Sequence, residues 1–263
     1  MTHANPPARH GRLCLAIGLV SASLSIPQIL PAQDTDWRTV RQEQTWLAFA
    51  YDQPLSSKWS TLGDVQWRRT SGLSDPQQFM VRTTALYRVA PGFRVGVGLN
   101  YVASAPYGEL PAARPTRDRQ VFYLAQLNHR QGSTDFMHRF RFENRWLADV
   151  STDENGDKEL VNERFGRRAR YLVRMMRPIP ALEFRGLPVL GLIQNDLFVG
   201  LGGNERGVSV DQNRLAFGPA IQWNRTKRLD VLWMQQWVAV PRARANENNR
   251  TLWVVLNHTG LPR

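Results

Sequence analysis

The sequence alternates between apolar and polar residues over long stretches, and this period of two constrains the fold more than any other feature. In residues 93–102 (FRVGVGLNYV), aromatic and aliphatic residues alternate with arginine, glycine and asparagine. Successive side chains of a β-strand point to opposite sides of a sheet, so the pattern predicts strands with two unlike faces. The sequence therefore predicts an all-β protein.

Segments with this alternation follow one another along the chain, without helical periodicity between them. They lie at residues 43–52, 59–69, 78–89, 93–102, 118–129, 135–147, 162–176, 188–200, 211–223, 228–239 and 249–258. Most exceed the mode of about 5–6 residues for strands of globular proteins. They suit tilted strands that cross a bilayer, which need about 9–11 residues. Because bacterial barrels have even strand numbers, we expect one segment to be missed or split, and about 10–12 strands in all.

The connections between these segments alternate in length. Short ones fall at 53–58, 90–92, 130–134 and 224–228, and longer polar ones at 70–77, 103–117, 148–161, 201–210 and 239–248. Residues 177–187 are long by count but rich in proline and apolar residues. Such alternation is typical of antiparallel neighbours in an outer-membrane barrel. We predict a single antiparallel up-and-down transmembrane β-barrel, with a soluble periplasmic β-protein as the alternative.

The N-terminus predicts export. Residues 13–26 are apolar, follow Arg9 and Arg12, and precede Pro27 and small residues. This is the pattern of a cleaved signal peptide over residues 1–32, which leaves a barrel domain at 33–263. The net charge of +12 would suit nucleic acid, but an exported chain does not normally meet it. The only cysteine, Cys14, lies within the signal segment.

The polar faces of the strands carry many arginines and fewer acids. The arginines are Arg68, Arg82, Arg88, Arg94, Arg139, Arg141, Arg145, Arg168, Arg170, Arg174 and Arg214, and the acids are Glu43, Asp64, Glu143, Asp196 and Asp230. One interpretation is a lumen filled by arginine–carboxylate pairs, in a structural or ligand-binding envelope protein. A second is a small anion-preferring pore, porin-like in character. A third is a site for an acidic lipid head group or sugar.

The segment Asp211-Gln212-Asn213-Arg214, and Asn195-Asp196 with the following Leu-Phe, resemble motifs of a bacterial family catalogued as domain of unknown function 2490. The resemblance extends over about residues 37–258 and implies an outer-membrane barrel, but it brings no activity. From the residues alone, these side chains either fix the register of one hairpin or form a small polar site at the barrel mouth.

No catalytic or metal-binding pattern stands out. The three histidines after the signal segment, His129, His138 and His258, lie in no Ser-His cluster, and no Gly-x-Ser-x-Gly elbow occurs. The alternating acids of residues 152–159 do not match a calcium loop. We therefore predict no enzyme, cofactor or metal. The expected partners are outer-membrane lipid, the barrel-assembly machinery and an anionic solute or lipid head group.

The alternation also predicts which side chains face lipid. Val97, Leu99 and Tyr101 should lie outside, and Arg94 and Asn100 inside. An arginine at Val97 should then impair assembly far more than a serine at the inward Gly98.

Overall fold

A computed structural model describes residues 37–202 and 208–261, and the predicted signal peptide lies outside these residues. The described part forms eleven strands and two 3-10 turns, Ser71–Leu73 and Pro241–Ala243. The strands are β1 (Arg38–Pro54), β2 (Trp59–Thr70), β3 (Asp75–Ala90), β4 (Phe93–Ser104), β5 (Thr116–Gln131), β6 (Thr134–Thr152), β7 (Lys158–Phe184), β8 (Leu187–Leu201), β9 (Val208–Gln222), β10 (Lys227–Val240) and β11 (Ala245–Thr259). Each predicted segment overlaps one of these strands, so the all-β prediction is confirmed. No helix long and apolar enough to cross a membrane occurs among the described residues.

The strands close into one barrel, in which each strand is hydrogen-bonded to its neighbours in sequence and β1 is hydrogen-bonded to β11. Consecutive strands are antiparallel, whereas β1 and β11 run parallel from Arg38 opposite Ala245 to Asp52 opposite Thr259. The strand number is thus eleven, not the even number expected. An odd count leaves the first and last strands pointing the same way, so only a parallel pair can close the sheet.

The strands are longer than predicted, and the connections correspondingly shorter. The clearest case is residues 177–187, predicted as a connection, where β7 continues to Phe184 and turns through Arg185 and Gly186 into β8. The pairing shifts between Pro178 and Glu183, where prolines interrupt the ladder because they have no N–H to donate. We call the end of the barrel with the β1–β2, β3–β4, β5–β6, β7–β8 and β9–β10 connections the short-turn end, and the other the loop end.

The β4–β5 loop, residues 105–115, folds over the loop end. Its Leu110 is buried against Val40, Val240 and Ala245, on strands three to five positions away from β4 around the barrel. The guanidinium of Arg242 donates to the Leu110 carbonyl at 2.9 Å. The loop therefore reaches across the mouth of the barrel, where apolar packing and a charged hydrogen bond hold it.

Side chains alternate between the two faces of the wall as predicted, with apolar ones outside. Val97 and Leu99 are 47% and 59% exposed, while Asn100 is buried inside. Gly98 is nevertheless more crowded than the sequence suggests. A Cβ at this position would lie 2.3 Å from Cζ of Phe122 and 2.5 Å from the Thr83 carbonyl oxygen, so the inner wall has no room there.

Candidate functional site

The interior of the barrel holds a charged cavity of about 240 Å³ at mid-height. Its lining includes nine arginines but only four aspartates. Together these thirteen residues come from eight of the eleven strands. The arginines are Arg68, Arg82, Arg139, Arg141, Arg145, Arg168, Arg170, Arg174 and Arg214, and the aspartates are Asp64, Asp118, Asp196 and Asp230. Each of these residues lies on the inward face of its strand. The closed barrel therefore brings together side chains that are far apart in sequence.

Some of these arginines have a carboxylate partner. Arg82 donates to both oxygens of Asp64, at 2.7 and 2.9 Å. Arg145 donates from Nε and Nη2 to one oxygen of Asp118, at 3.1 and 2.6 Å. Each pair joins neighbouring strands across the inner wall, as cross-strand ion pairs do. These contacts neutralise charge that would be costly to bury alone.

Glu143 is the centre of the largest ion-pair group. It is fully buried, with Arg168 at 2.6 Å and Arg170 at 3.2 Å from its oxygens. Arg170 also reaches Asp196, at 2.5 Å. A third arginine, Arg141, stands 3.7 Å from Glu143, beyond hydrogen-bond distance. One carboxylate thus serves three guanidinium groups.

Four cavity arginines are held by glutamine amides instead of carboxylates. The hydrogen-bond acceptors are Gln66 and Gln78 for Arg68, Gln126 for Arg139 and Gln194 for Arg174. Arg214 donates to the side-chain oxygen of Gln212 when the Gln212 amide is placed with its oxygen towards the guanidinium. None of the four forms an ion pair within residues 37–202 and 208–261. A glutamine oxygen positions a guanidinium without cancelling its charge, so these four arginines keep the cavity positive.

Arg141 differs again, because its guanidinium makes no hydrogen bond within the described chain. Its Nε and Nη1 are both buried and unpartnered. The group lies over the Phe122 ring, 4.3 Å from the ring centroid. A cation–π contact stabilises the charge in part but satisfies none of its N–H donors.

An aromatic layer closes the cavity towards the loop end. Arg68 and Arg214 lie over the Trp46 ring, 3.9 and 4.9 Å from its centroid. The indole N–H of Trp46 donates to Gln77 at 2.9 Å, and Trp253 packs edge-on against the ring. Above this layer lies the β4–β5 loop, so two barriers separate the cavity from the loop end.

Towards the short-turn end the interior widens into a mouth of about 530 Å³. Ion pairs flank it, with Arg94 to Asp52 at 2.7 Å and Arg228 to Asp230 at 2.6 Å. Arg139 and Arg174 line both the mouth and the inner cavity. Access to the cavity from this end therefore passes these two arginines.

Two residues predicted on the polar faces are exposed and do not point into the interior of the barrel. Arg88 is exposed, next to a shift of register in β3 at the short-turn end. Glu43 is exposed as well, while its neighbours Gln42 and Gln44 are buried, so the prediction of Glu43 on the inner face is wrong. Trp46 faces inward in β1 although it is apolar, so Glu43 shares the outer face with Leu47.

Because side chains alternate along a strand, neighbouring residues of the motif lie on opposite faces of the barrel wall. Asp196, Gln212 and Arg214 line the cavity. Asn195 and Asn213 instead form a mutual amide pair, with Nδ2 of Asn195 donating to Oδ1 of Asn213 at 2.9 Å. This cross-strand pair joins β8 to β9, which favours the interpretation that the motif fixes the hairpin.

Asp211 lies at the bulge where the β8–β9 pairing shifts, and its carboxylate accepts from the Ser209 hydroxyl at 3.1 Å. The motif therefore does not converge on one polar site at the mouth.

Sequence reasoning missed Asp52, Asp118 and the glutamines that hold arginines. Asp52 is the last residue of one predicted segment and Asp118 the first residue of another, and neither was assigned to a polar face. The glutamines share the inward parity of neighbouring arginines, as Gln66 does with Arg68. Parity alone could have found them. Among the described residues, no group of three His, Cys, Asp or Glu is arranged to hold a metal.

The sequence profile of one family, described as "Protein of unknown function (DUF2490)", matches residues 43–247. No curated protein and no solved structure matches the chain.

Proposed function

Since the chain belongs to the DUF2490 family of proteins of unknown function, whose description carries no activity, we propose its role from the geometry. It is an outer-membrane β-barrel protein with an Arg-rich interior. This interior is a chamber, occluded at the loop end and open at the short-turn end, in a structural or ligand-binding component of the envelope.

The observation that carries the proposal is the inverted distribution of polarity. Outside, Phe140 and Tyr123 are 55% and 56% exposed, whereas Glu143, Asn249 and Asp230 are buried inside. A soluble protein buries apolar groups and rarely exposes apolar patches beyond a few hundred Å². A membrane barrel has an apolar outer band about 25 Å tall and a polar interior. The exposed apolar side chains of the outer wall and the charged groups of the interior support the second description.

Aromatic side chains at both ends of the outer wall support the same location. Trp59 and Tyr87 form an edge-to-face pair near the short-turn end, with ring centroids 5.1 Å apart. Trp146 and Phe165 form a tilted pair near the loop end, 5.3 Å apart. Aromatic girdles at the two interfaces are typical of transmembrane barrels.

Occlusion follows from what fills the interior. The β4–β5 loop covers one mouth, and the Trp46 layer lies beneath it. In outer-membrane barrels the short turns are periplasmic, so the open mouth faces the periplasm. The predicted signal peptide and the barrel-assembly machinery would provide the route to this location.

The second candidate function is a small anion-preferring pore. The surplus of arginines, four of them held by neutral amides, favours anions if a continuous path opens. Two occluding layers argue against such a path in this conformation.

Fractionation and conductance together test the proposal. We expect the mature chain in outer membranes, with heat-dependent mobility on gels, and no conductance in planar bilayers from the refolded protein. Recovery from the periplasm without detergent would refute the location. Steady conductance with an anionic reversal potential in a salt gradient would favour the pore instead.

A further inference from the structure

We propose that the chamber is a binding site for a small soluble oxyanion with two or more negative charges, carried by phosphate or carboxylate groups. The ligand is held by Arg139, Arg141 and Arg174. This inference rests on the proposed chamber and names the chemistry of what it takes.

The first argument is charge balance. Nine arginines and four aspartates line the inner cavity, and Glu143 adds one more negative charge from behind three of the arginines. The cavity therefore retains a surplus of four positive charges. Uncompensated charge in a low-dielectric interior is costly unless a counter-ion neutralises it or water solvates it. A multivalent anion would supply this compensation within one small volume.

The second argument is the set of unused donors. Arg141 has two buried N–H groups, Nε and Nη1, without an acceptor. In Arg174 only Nε is engaged, by Gln194 at 2.9 Å, among the described residues. Buried N–H groups almost always have hydrogen-bond partners, so the two unsatisfied donors of Arg141 indicate an acceptor that the protein itself does not provide.

The third argument is that Arg139 lies beside each of the other two arginines. Arg139 and Arg141 are two residues apart on the inner face of β6. Arg174 lies diagonally across on β7, where its partner Met137 is two residues from Arg139. A guanidinium presents a fork of N–H donors that matches the paired oxygens of carboxylates and phosphates. Three such forks on adjacent strands favour an oxyanion over a monatomic ion.

The fourth argument is access and size. Arg139 and Arg174 border both the open mouth and the inner cavity, so an anion entering from the short-turn end meets them first. The inner cavity of about 240 Å³ is large enough for a small anion such as a phosphate or a short dicarboxylate.

The test measures thermal unfolding and calorimetric binding of the full mature chain in neutral detergent, with inorganic phosphate and succinate as probes. Ionic strength is held constant with sodium chloride. We expect both anions to raise the Tm with increasing concentration, as ligands of the folded state do, and one site per chain. No effect of either anion beyond that of chloride would overturn the inference, as would stabilisation only in vesicles containing anionic phospholipid.

Variants separate binding from structure. Arg141→Gln and Arg139→Gln should each weaken phosphate binding at least tenfold. Without added phosphate or succinate, both variants should unfold at the same temperature as the parent or at a higher one. Each substitution removes a positive charge that repels the neighbouring arginines. A merely structural arginine would lower that temperature. Arg119→Gln is the matched control, because Arg119 is exposed and paired with Glu163 away from the cavity.

Unchanged phosphate binding in both chamber variants would overturn the site. Conductance by the parent protein would instead refute the occluded chamber, whatever the binding result. The two failures are therefore distinguishable.

Discussion

Individual charges inside this barrel are not equivalent, although the sequence presents them as one ladder. Arg82 is neutralised by a bidentate contact with Asp64, while Arg139 is only positioned, by Gln126. Glu143 compensates several guanidinium groups at once. Removal of a side chain should therefore have opposite effects on stability, according to which kind it is.

Glu143→Gln should be strongly destabilising, because it leaves Arg168 and Arg170 short of a buried counter-charge. Breaking a buried ion pair in this way costs about 3–5 kcal/mol. Urea unfolding of the refolded protein, followed by tryptophan fluorescence, measures the change. Glu163→Gln is the control, since its pair with Arg119 is exposed and worth about 0–1 kcal/mol. Equal effects of the two changes would contradict the assigned role of Glu143.

Val97→Arg should impair membrane assembly, because Val97 lies at the centre of the outward face of β4. An arginine on the lipid face at the bilayer midplane costs about 2–4 kcal/mol. The folded fraction is read from heat-dependent gel mobility after refolding into vesicles. The control is Val97→Leu, which keeps the outward residue apolar and should fold like the parent. Gly98→Ser is unsuitable as a control because the inner wall is crowded at Gly98. Normal assembly of Val97→Arg would indicate a soluble fold.

Among the elements, the β4–β5 loop departs most from a simple barrel connection. Leu110 fixes it by packing on β1, β10 and β11, and Gly108 allows close approach to Gln42 at φ +70°. A Cβ at Gly108 would meet the Gln42 side chain. The loop therefore covers the mouth, and Leu110 is its apolar anchor beside the hydrogen bond from Arg242.

Leu110→Asp should release the β4–β5 loop, because it loses roughly 1.5–3 kcal/mol of apolar burial and introduces a charge. Cleavage by a glutamate-specific protease at Glu109 should then become faster than in the parent. The exposed Glu154 in the β6–β7 turn serves as an internal reference. Leu160→Asp, an exposed position in β7, should leave the rate at Glu109 unchanged. A rate at Glu109 that is equally fast in the parent would show that the loop is not anchored.

For the whole molecule, the decisive feature is the parallel closure of β1 on β11. It pairs Leu47 with Val254 on the outer face and Trp46 with Trp253 on the inner face. Without this contact both terminal strands would be open edges, which attract non-native pairing. Closure by eleven strands therefore makes the first strand indispensable to the barrel.

Cysteines at Leu47 and Val254 should form a disulfide on mild oxidation of the folded protein, because the two residues are paired directly across the closure. The linked chain should migrate differently from the reduced chain on a denaturing gel after boiling. Cysteines at Leu47 and Leu215, three strands apart, are the control and should not link. Absence of the Leu47–Val254 link in folded protein would exclude this closure.

By itself, the sequence determined the strands, the polarity of their faces and the concentration of arginine on one of them. These follow from alternation, which is local and can be read at each position, as at Val97 and Arg141. Only the tertiary structure decided the strand number, the parallel closure, the loop over the mouth and which arginines have a carboxylate partner. Those depend on register between strands, since a shift of one residue in pairing exchanges the neighbours of every side chain. Thus Arg139 meets Gln126 and not an acid because of where β5 and β6 pair, a relation that neither segment carries alone.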